Sequence, residues 1–343
     1  MIRISSPWLY RKNFDLGFIL LPAFVSVVVA LGFSDYFNKL EALPSWLWFV
    51  LVMGIDVSHV YSTLYKTYLH PGEYLQNKNL LLLTPLIVWV VGVIIHTLSA
   101  KLFWTTLAYL AVFHFIRQQY GFMRLYGRCE IRSKLQRKLE ALVIYAGTLY
   151  PIIYWHTYSR DFYWFIEGDF IIGIHPIVER VSFVLYLLII CSYIIRELLG
   201  LKRGEPLNLP KNMIIAGTIL SWYVGIVLLN GDFTFTVTNI VAHGIPYMAL
   251  VWIWGLKNES NVLSFKFGFI PFIVLILILA YVEEAIWAGF IWREHLDIFV
   301  FFRDVPVIND KKALTLIVPL LILPQATHYV LDGFIWKKNQ SLN

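Results

Sequence analysis

The stretch Gly54-Ile55-Asp56-Val57-Ser58-His59-Val60-Tyr61-Ser62-Thr63 lies within an apolar run over residues 46–66. A charged acid at bilayer depth costs on the order of 2.5–3.5 kcal/mol on insertion scales, so ionisable groups there turn to a bundle interior and find partners. Residues three apart on a helix share a face, which points Asp56 and His59 the same way. Working outward, three further apolar runs carry histidines: His114 with Gln118 four residues on, His243, and His328 with Asp332 four residues on.

The whole chain has the composition that such a run requires. Of its 343 residues 59% are hydrophobic and only 15% charged, with a mean hydropathy of +0.67, outside the range of soluble domains. The fold class expected is an all-α polytopic integral membrane bundle. About ten transmembrane helices are predicted, at 14–33, 46–66, 80–99, 102–123, 139–158, 178–198, 213–229, 235–256, 267–288 and 313–336; each comes close to the roughly 20 residues needed to cross the hydrocarbon. No fixed repeat, low-complexity tract or linker interrupts them, and a single transmembrane domain over 1–343 follows. Trp and Tyr near the span ends, such as Trp46, Trp48, Tyr154, Trp155, Trp252, Trp254, Trp287, Trp292 and Trp336, form an ordinary interfacial belt.

Short cytoplasmic loops collect Lys and Arg. One set of loops carries Arg3, Arg11 and Lys12, then Lys66 and Lys78, then Arg124 to Lys138, then Arg196, Lys202, Arg203 and Lys211, then Lys257 and Lys266, and last Lys337 and Lys338. The alternate loops hold Asp35, Glu41, Asp161, Glu167, Asp169 and Asp232. Both termini therefore face the cytoplasm, in what reads as a bacterial inner membrane. The net charge of +6 is explained by orientation, and nucleic acid is not a partner. The segment 127–138 is basic enough to attract anionic headgroups, and 289–312 suggests an amphipathic helix at the outer interface. Cys129 and Cys191 have no ligand spacing.

With this orientation the four histidine-bearing spans all run inward. His59, His114, His243 and His328 precede the cytoplasmic basic residues Lys66, Arg124, Lys257 and Lys337 by 7, 10, 14 and 9 residues, roughly 10, 15, 21 and 14 Å of helix. They share one layer between the cytoplasmic boundary and the midplane. Neutral imidazole is the common ligand of Fe, Zn and Cu, and its second nitrogen usually meets a carboxylate or carbonyl. His59, His114, His243 and His328 are the candidate metal ligands, and Asp56 and Asp332 the candidate catalytic or ligand-orienting acids. The competing reading is that each histidine bonds a neighbouring helix as structural glue. Gly244 and Pro246 leave room and a spare carbonyl beside His243, and Pro319 and Pro324 bend the last span ahead of His328. Glu283 and Glu284 read as lying away from this layer, one buried and paired and the other interfacial, Arg117 as snorkelling or neutralising an anionic lipid or Asp56, and His96, His156, His175 and His295 as wet boundary residues.

These histidines, with Ala242-His243-Gly244 and the chain length, resemble the Brp/Blh family of integral-membrane carotenoid oxygenases. The resemblance implies a four-histidine iron and cleavage of β-carotene, although the paired His-x-x-x-His of that family is missing. The HxxxH and HxxHH boxes of the membrane fatty-acid desaturases are absent. The function expected is an iron-dependent oxidoreductase or oxygenase acting on a lipid or isoprenoid. A proton-coupled transporter using Asp56, His59, His328 and Asp332 is the alternative, and a b-type haem protein is the third reading.

Overall fold

The computed structural model describes residues 7–37, 39, 43–258 and 268–336, and among these the secondary structure is entirely helical. In chain order the helices are α1 (Lys12–Phe37), α2 (Ser45–Lys66), α3 (Pro71–Gln76), α4 (Lys78–Leu98), α5 (Ala100–Tyr126), α6 (Lys134–Thr157), α7 (Pro176–Lys202), α8 (Leu209–Leu228), α9 (Asp232–Lys257), α10 (Phe269–Trp292), α11 (Lys311–Leu321) and α12 (Leu323–Ile335). Seven are long and apolar enough to cross a membrane, and α11 with α12, bent by 42°, makes an eighth when counted as one span. This is consistent with an integral membrane protein. Each of the ten expected spans falls largely on helix among the described residues, but α5 and α6 are not among the helices apolar enough to cross a membrane. Their charged and amide side chains bond to other parts of the protein, as Gln118 of α5 does to the carbonyl of His243. Of the residues used to predict orientation, Arg3, Glu41, Lys266, Lys337 and Lys338 lie outside the described residues.

The described chain forms two compact units, each assembled from three segments. The first comprises residues 1–41, 115–163 and 170–246. Small residues set its helix spacing: a methyl at Gly217 of α8 would lie 3.0 Å from Ala23 of α1, and one at Gly147 of α6 would lie 2.9 Å from Ile219 of α8. At one end Lys211 is fully buried between Glu140 at 2.7 Å and Glu130 at 2.8 Å, and Arg132 meets Glu130 at 2.7 Å and Glu205 at 2.9 Å. Burial works against the Arg132 charge, yet Glu130, Glu197 and Glu140 together hold its guanidinium above the ordinary value. Within the segment 127–138 Arg132 turns inward to these carboxylates, whereas Lys134, Arg137 and Lys138 are exposed. α6 starts where Ser133 and Gln136 form a reciprocal capping box. Arg117 is exposed and donates to Tyr145 at 2.8 Å.

The second unit comprises residues 42–114, 164–169 and 247–343. α2 packs on α10 and α12, and α4 packs on α11 and α12. Gly92 of α4 faces Pro319 of α11, where a methyl would lie 3.0 Å from the ring. An aromatic core of Phe103, Trp104, Leu107, Trp287, Ile322 and Tyr329 fills the space beside the site. The expected interfacial helix over 289–312 is not formed. Arg293 adopts a left-handed conformation, φ 63°, which ends α10, and its guanidinium collects the carbonyls of Gly289, Phe302 and Val305 into a folded loop with one 3-10 turn, Val300–Phe302. His295, read as wet, stacks on Trp48 with ring centres 4.0 Å apart.

Candidate metal centre

α2 is not a regular α-helix where the site begins. Phe49–Val57 is a π-helical stretch, a widened turn that recurs at functional sites. Its end is marked by Ser58 Oγ, which donates to the carbonyl of Met53 five residues back, 2.9 Å away. Regular helix resumes at Ser58, and Asp56 Oδ1 stands 3.5 Å from His59 Nδ1. The three-residue spacing thus does bring acid and imidazole onto one face.

The ligand atoms of His59, His114, His243 and His328 all lie within 4.8 Å of one another, and all four residues are buried. Such a group could bind a metal ion. Three of the four, with both aspartates, belong to the second unit. There His114 Nε2 and His328 Nε2 are 3.1 Å apart. Metal–nitrogen bonds of about 2.0–2.1 Å at tetrahedral angles put neighbouring ligand nitrogens roughly 3.3 Å apart, so these two atoms already stand near the edge length of such a site. When one of the two rings carries its proton on Nε2, the same pair makes an imidazole–imidazole hydrogen bond instead.

The outward nitrogens are as well ordered as the inward ones. Asp332 Oδ2 lies 3.5 Å from His114 Nδ1. Thr63 Oγ1 lies 2.7 Å from His328 Nδ1 and 3.0 Å from the hydroxyl of Tyr247. The Asp332 carboxylate, an acceptor when ionised, favours the His114 tautomer with its proton on Nδ1 and the Nε2 lone pair free for a cation; Thr63 Oγ1 accepts from His328 Nδ1 or donates to it according to the tautomer. The rings are crossed where they meet: His114 and His328 at 70°, His59 and His328 at 80°. Tyr329 covers the other face of His114, centres 5.0 Å apart.

His243 stands on the part of α9 in the first unit. Phe115 stacks on its ring at 3.6 Å, and its carbonyl accepts from Gln118 at 2.9 Å. Pro246 cannot donate to the carbonyl four residues back, that of Ala242, and Gln119 Nε2 donates to it at 3.2 Å. The expected spare carbonyl is therefore present and satisfied.

The sequence reading missed several neighbours. Thr63, Tyr247 and Tyr329 carry no charge and fall on apolar faces, so periodicity reads them as core. Glu283, expected away from the histidines, is buried and accepts from Tyr61 at 2.7 Å, two residues along α2 from His59. The depth count along α10 fails to reach it because α2 and α10 pack side by side there. His156 is buried, not wet, with Nδ1 2.6 Å from the carbonyl of Ile152. His70 and His175 cap the starts of α3 and α7.

No family model, curated protein or solved structure matches this chain.

Proposed function

We propose that the chain is an integral-membrane oxidoreductase that holds iron in the histidine cluster and acts on a lipid or isoprenoid drawn from the bilayer. The observation that carries the proposal is the paired ordering of His114 and His328: Nε2 atoms 3.1 Å apart, with Asp332 and Thr63 against their Nδ1 atoms. Structural glue requires one good hydrogen bond per imidazole; converging lone pairs, each oriented from behind, are what a cation requires. An all-imidazole set suits Fe, Zn or Cu. Iron is chosen because, when bound in such a site with open positions, it supplies one-electron and O₂ chemistry to apolar substrates. In this reading His59, His114, His243 and His328 ligate, while Asp56 and Asp332 orient their rings and hold the Nδ1 protons. By the same proposal both termini lie in the cytoplasm of a bacterial cell. The resemblance to the Brp/Blh oxygenases points the same way, with carotenoid cleavage as one example of the chemistry.

One observation favours the competing transporter reading. The Tyr61–Glu283 bond adds a buried carboxyl to Asp56 and His59, a set that would also carry protons. Metal analysis of the purified protein separates the two. We expect stoichiometric iron in the wild type and loss of most of it in each of His59→Ala, His114→Ala, His243→Ala and His328→Ala. A protein that stays metal-free after expression with ample iron and zinc, and in which the four substitutions act independently, would overturn the metal reading in favour of coupled transport.

A further inference from the structure

A cavity of about 260 Å³ lies in the second unit, lined by Val60, Tyr61, Thr63, Leu64 and Tyr68 of α2 and the segment just after it, Pro85 of α4, and Leu320, Leu323, Pro324, Thr327, His328 and Leu331 of α11 and α12. Three features of this lining identify what it binds. First, it contains no Asp, Glu, Lys or Arg, so a carboxylate, phosphate or ammonium placed there would be buried without a counter-charge. Second, its outer rim belongs to helix flanks that face the bilayer: Leu320 is 51% exposed, and Leu82 and Leu86 on either side of Pro85 are 48% and 54% exposed. The 42° break between α11 and α12, flanked by Pro319 and Pro324, occurs at this same place. Third, the hydroxyls in the lining are engaged at all but one position. Tyr61 donates to Glu283, Thr63 contacts His328 and Tyr247, and Tyr68 donates to the carbonyl of Leu81. Thr327 Oγ1 alone has no hydrogen-bond partner, although the residue is only 7% exposed.

A buried hydroxyl without a partner is destabilising, and Thr327 lines an apolar cavity next in sequence to His328; its Oγ1 is closed off in the present rotamer, and a turn about χ1 brings it to a ligand there. We propose that the cavity binds the oxygen-bearing end of an uncharged, single-chain lipid, a long-chain alcohol or aldehyde, whose oxygen hydrogen-bonds to Thr327 Oγ1 beside His328. The volume is just under the roughly 300 Å³ at which small-molecule pockets begin, which suits the end of one chain; the remainder stays among the acyl chains at the rim. The inference rests on the metal-centre reading in that it names what the centre meets, but binding has a readout of its own.

The test uses full-length protein in lipid vesicles and two photoactivatable probes of equal chain length, one a diazirine-tagged alcohol and the other the matching carboxylic acid. Mass spectrometry should place the alcohol label on the segments 60–68 and 320–331, with the acid labelling several-fold less. Thr327→Val should weaken alcohol competition about three- to tenfold, the range expected for one lost hydrogen bond, and Thr327→Ser should restore it. Leu323→Trp should block labelling while bound metal is retained. Leu320→Trp, at an exposed position that tolerates a larger ring, repeats the block should the first variant fold poorly. Equal labelling by the acid, labelling unchanged in the tryptophan variants, or full affinity in Thr327→Val would each overturn the inference. Labelling that follows the expected pattern in a metal-free protein would support the lipid site and overturn only the metal reading.

Discussion

His114 and His328 behave as one unit because each ring is held at both nitrogens, and the consequences are measurable residue by residue. Replacing Asp332 by Asn keeps the shape of the side chain but removes the charge 3.5 Å from His114 Nδ1. Asp332→Asn, and likewise Asp56→Asn, should lower metal affinity by about 10–100-fold without removing the site; competition with a graded chelator reads this directly. If the histidines were structural glue, each His→Ala change would cost only about 0.6 kcal/mol of helix association, and no more than about 1.7, with no metal phenotype. The pH dependence has a defined sign. Metal competes with protons for the imidazole lone pairs, so affinity should fall as pH drops through the region near 6.5 where free imidazole titrates. Metal content that is unchanged down to about pH 5 would argue against imidazole ligation.

Helices position these residues through irregularities that local chemistry dictates. The π-helical stretch of α2 and the proline in α9 both alter hydrogen bonding within one turn of a histidine: the Met53 carbonyl accepts from both the backbone N–H and the hydroxyl of Ser58, and the Ala242 carbonyl, to which Pro246 cannot donate, accepts from Gln119. Gln119→Ala should therefore destabilise the first unit by about 0.6 kcal/mol, the average for such bonds between membrane helices, and Pro246→Ala should offset part of that loss by restoring the helical bond. Packing at Gly225 of α8 is less forgiving. An added methyl would overlap the hydroxyl of Thr238 on α9, which itself donates to the carbonyl of Thr234 at 2.8 Å. Gly225→Ala should cost about 1–3 kcal/mol, seen as a lower thermal midpoint in detergent.

Over the whole molecule the charge pattern makes a prediction that the helices alone do not. Reporter fusions after Arg132 and after Asp169 should report opposite sides of the membrane, with Arg132 cytoplasmic; equal signals would remove the basis of the depth argument. One structural feature agrees with the pairing of loops. Arg132, between α5 and α6, binds Glu205, between α7 and α8, at 2.9 Å, so these two connections lie at the same end of the first unit. The abundant exposed Leu, Ile, Val and Phe on α1, α4 and α7 suit an environment of acyl chains rather than water.

The all-helical membrane architecture, with seven or eight helices apolar enough to span where about ten were expected, and the pairing of Asp56 with His59 were legible in the amino-acid sequence. Each follows from interactions within one segment or with the solvent: hydropathy, the 3.6-residue period, and the cost of burying ionisable groups. The recurrence of histidines at similar depth also pointed to the cluster, because depth along a helix is itself a local quantity. Contacts across helices were not legible. That Asp332 turns to His114 rather than to His328 on its own helix, that Thr63 and not an acid orients His328, and that Glu283 reaches Tyr61 were decided by which faces pack together. So was the inward turn of Arg132, which charge counting alone assigns to solvent. A neutral threonine or tyrosine has no signature in hydropathy or charge; its role appears only when tertiary packing removes water and leaves its hydroxyl a single set of partners.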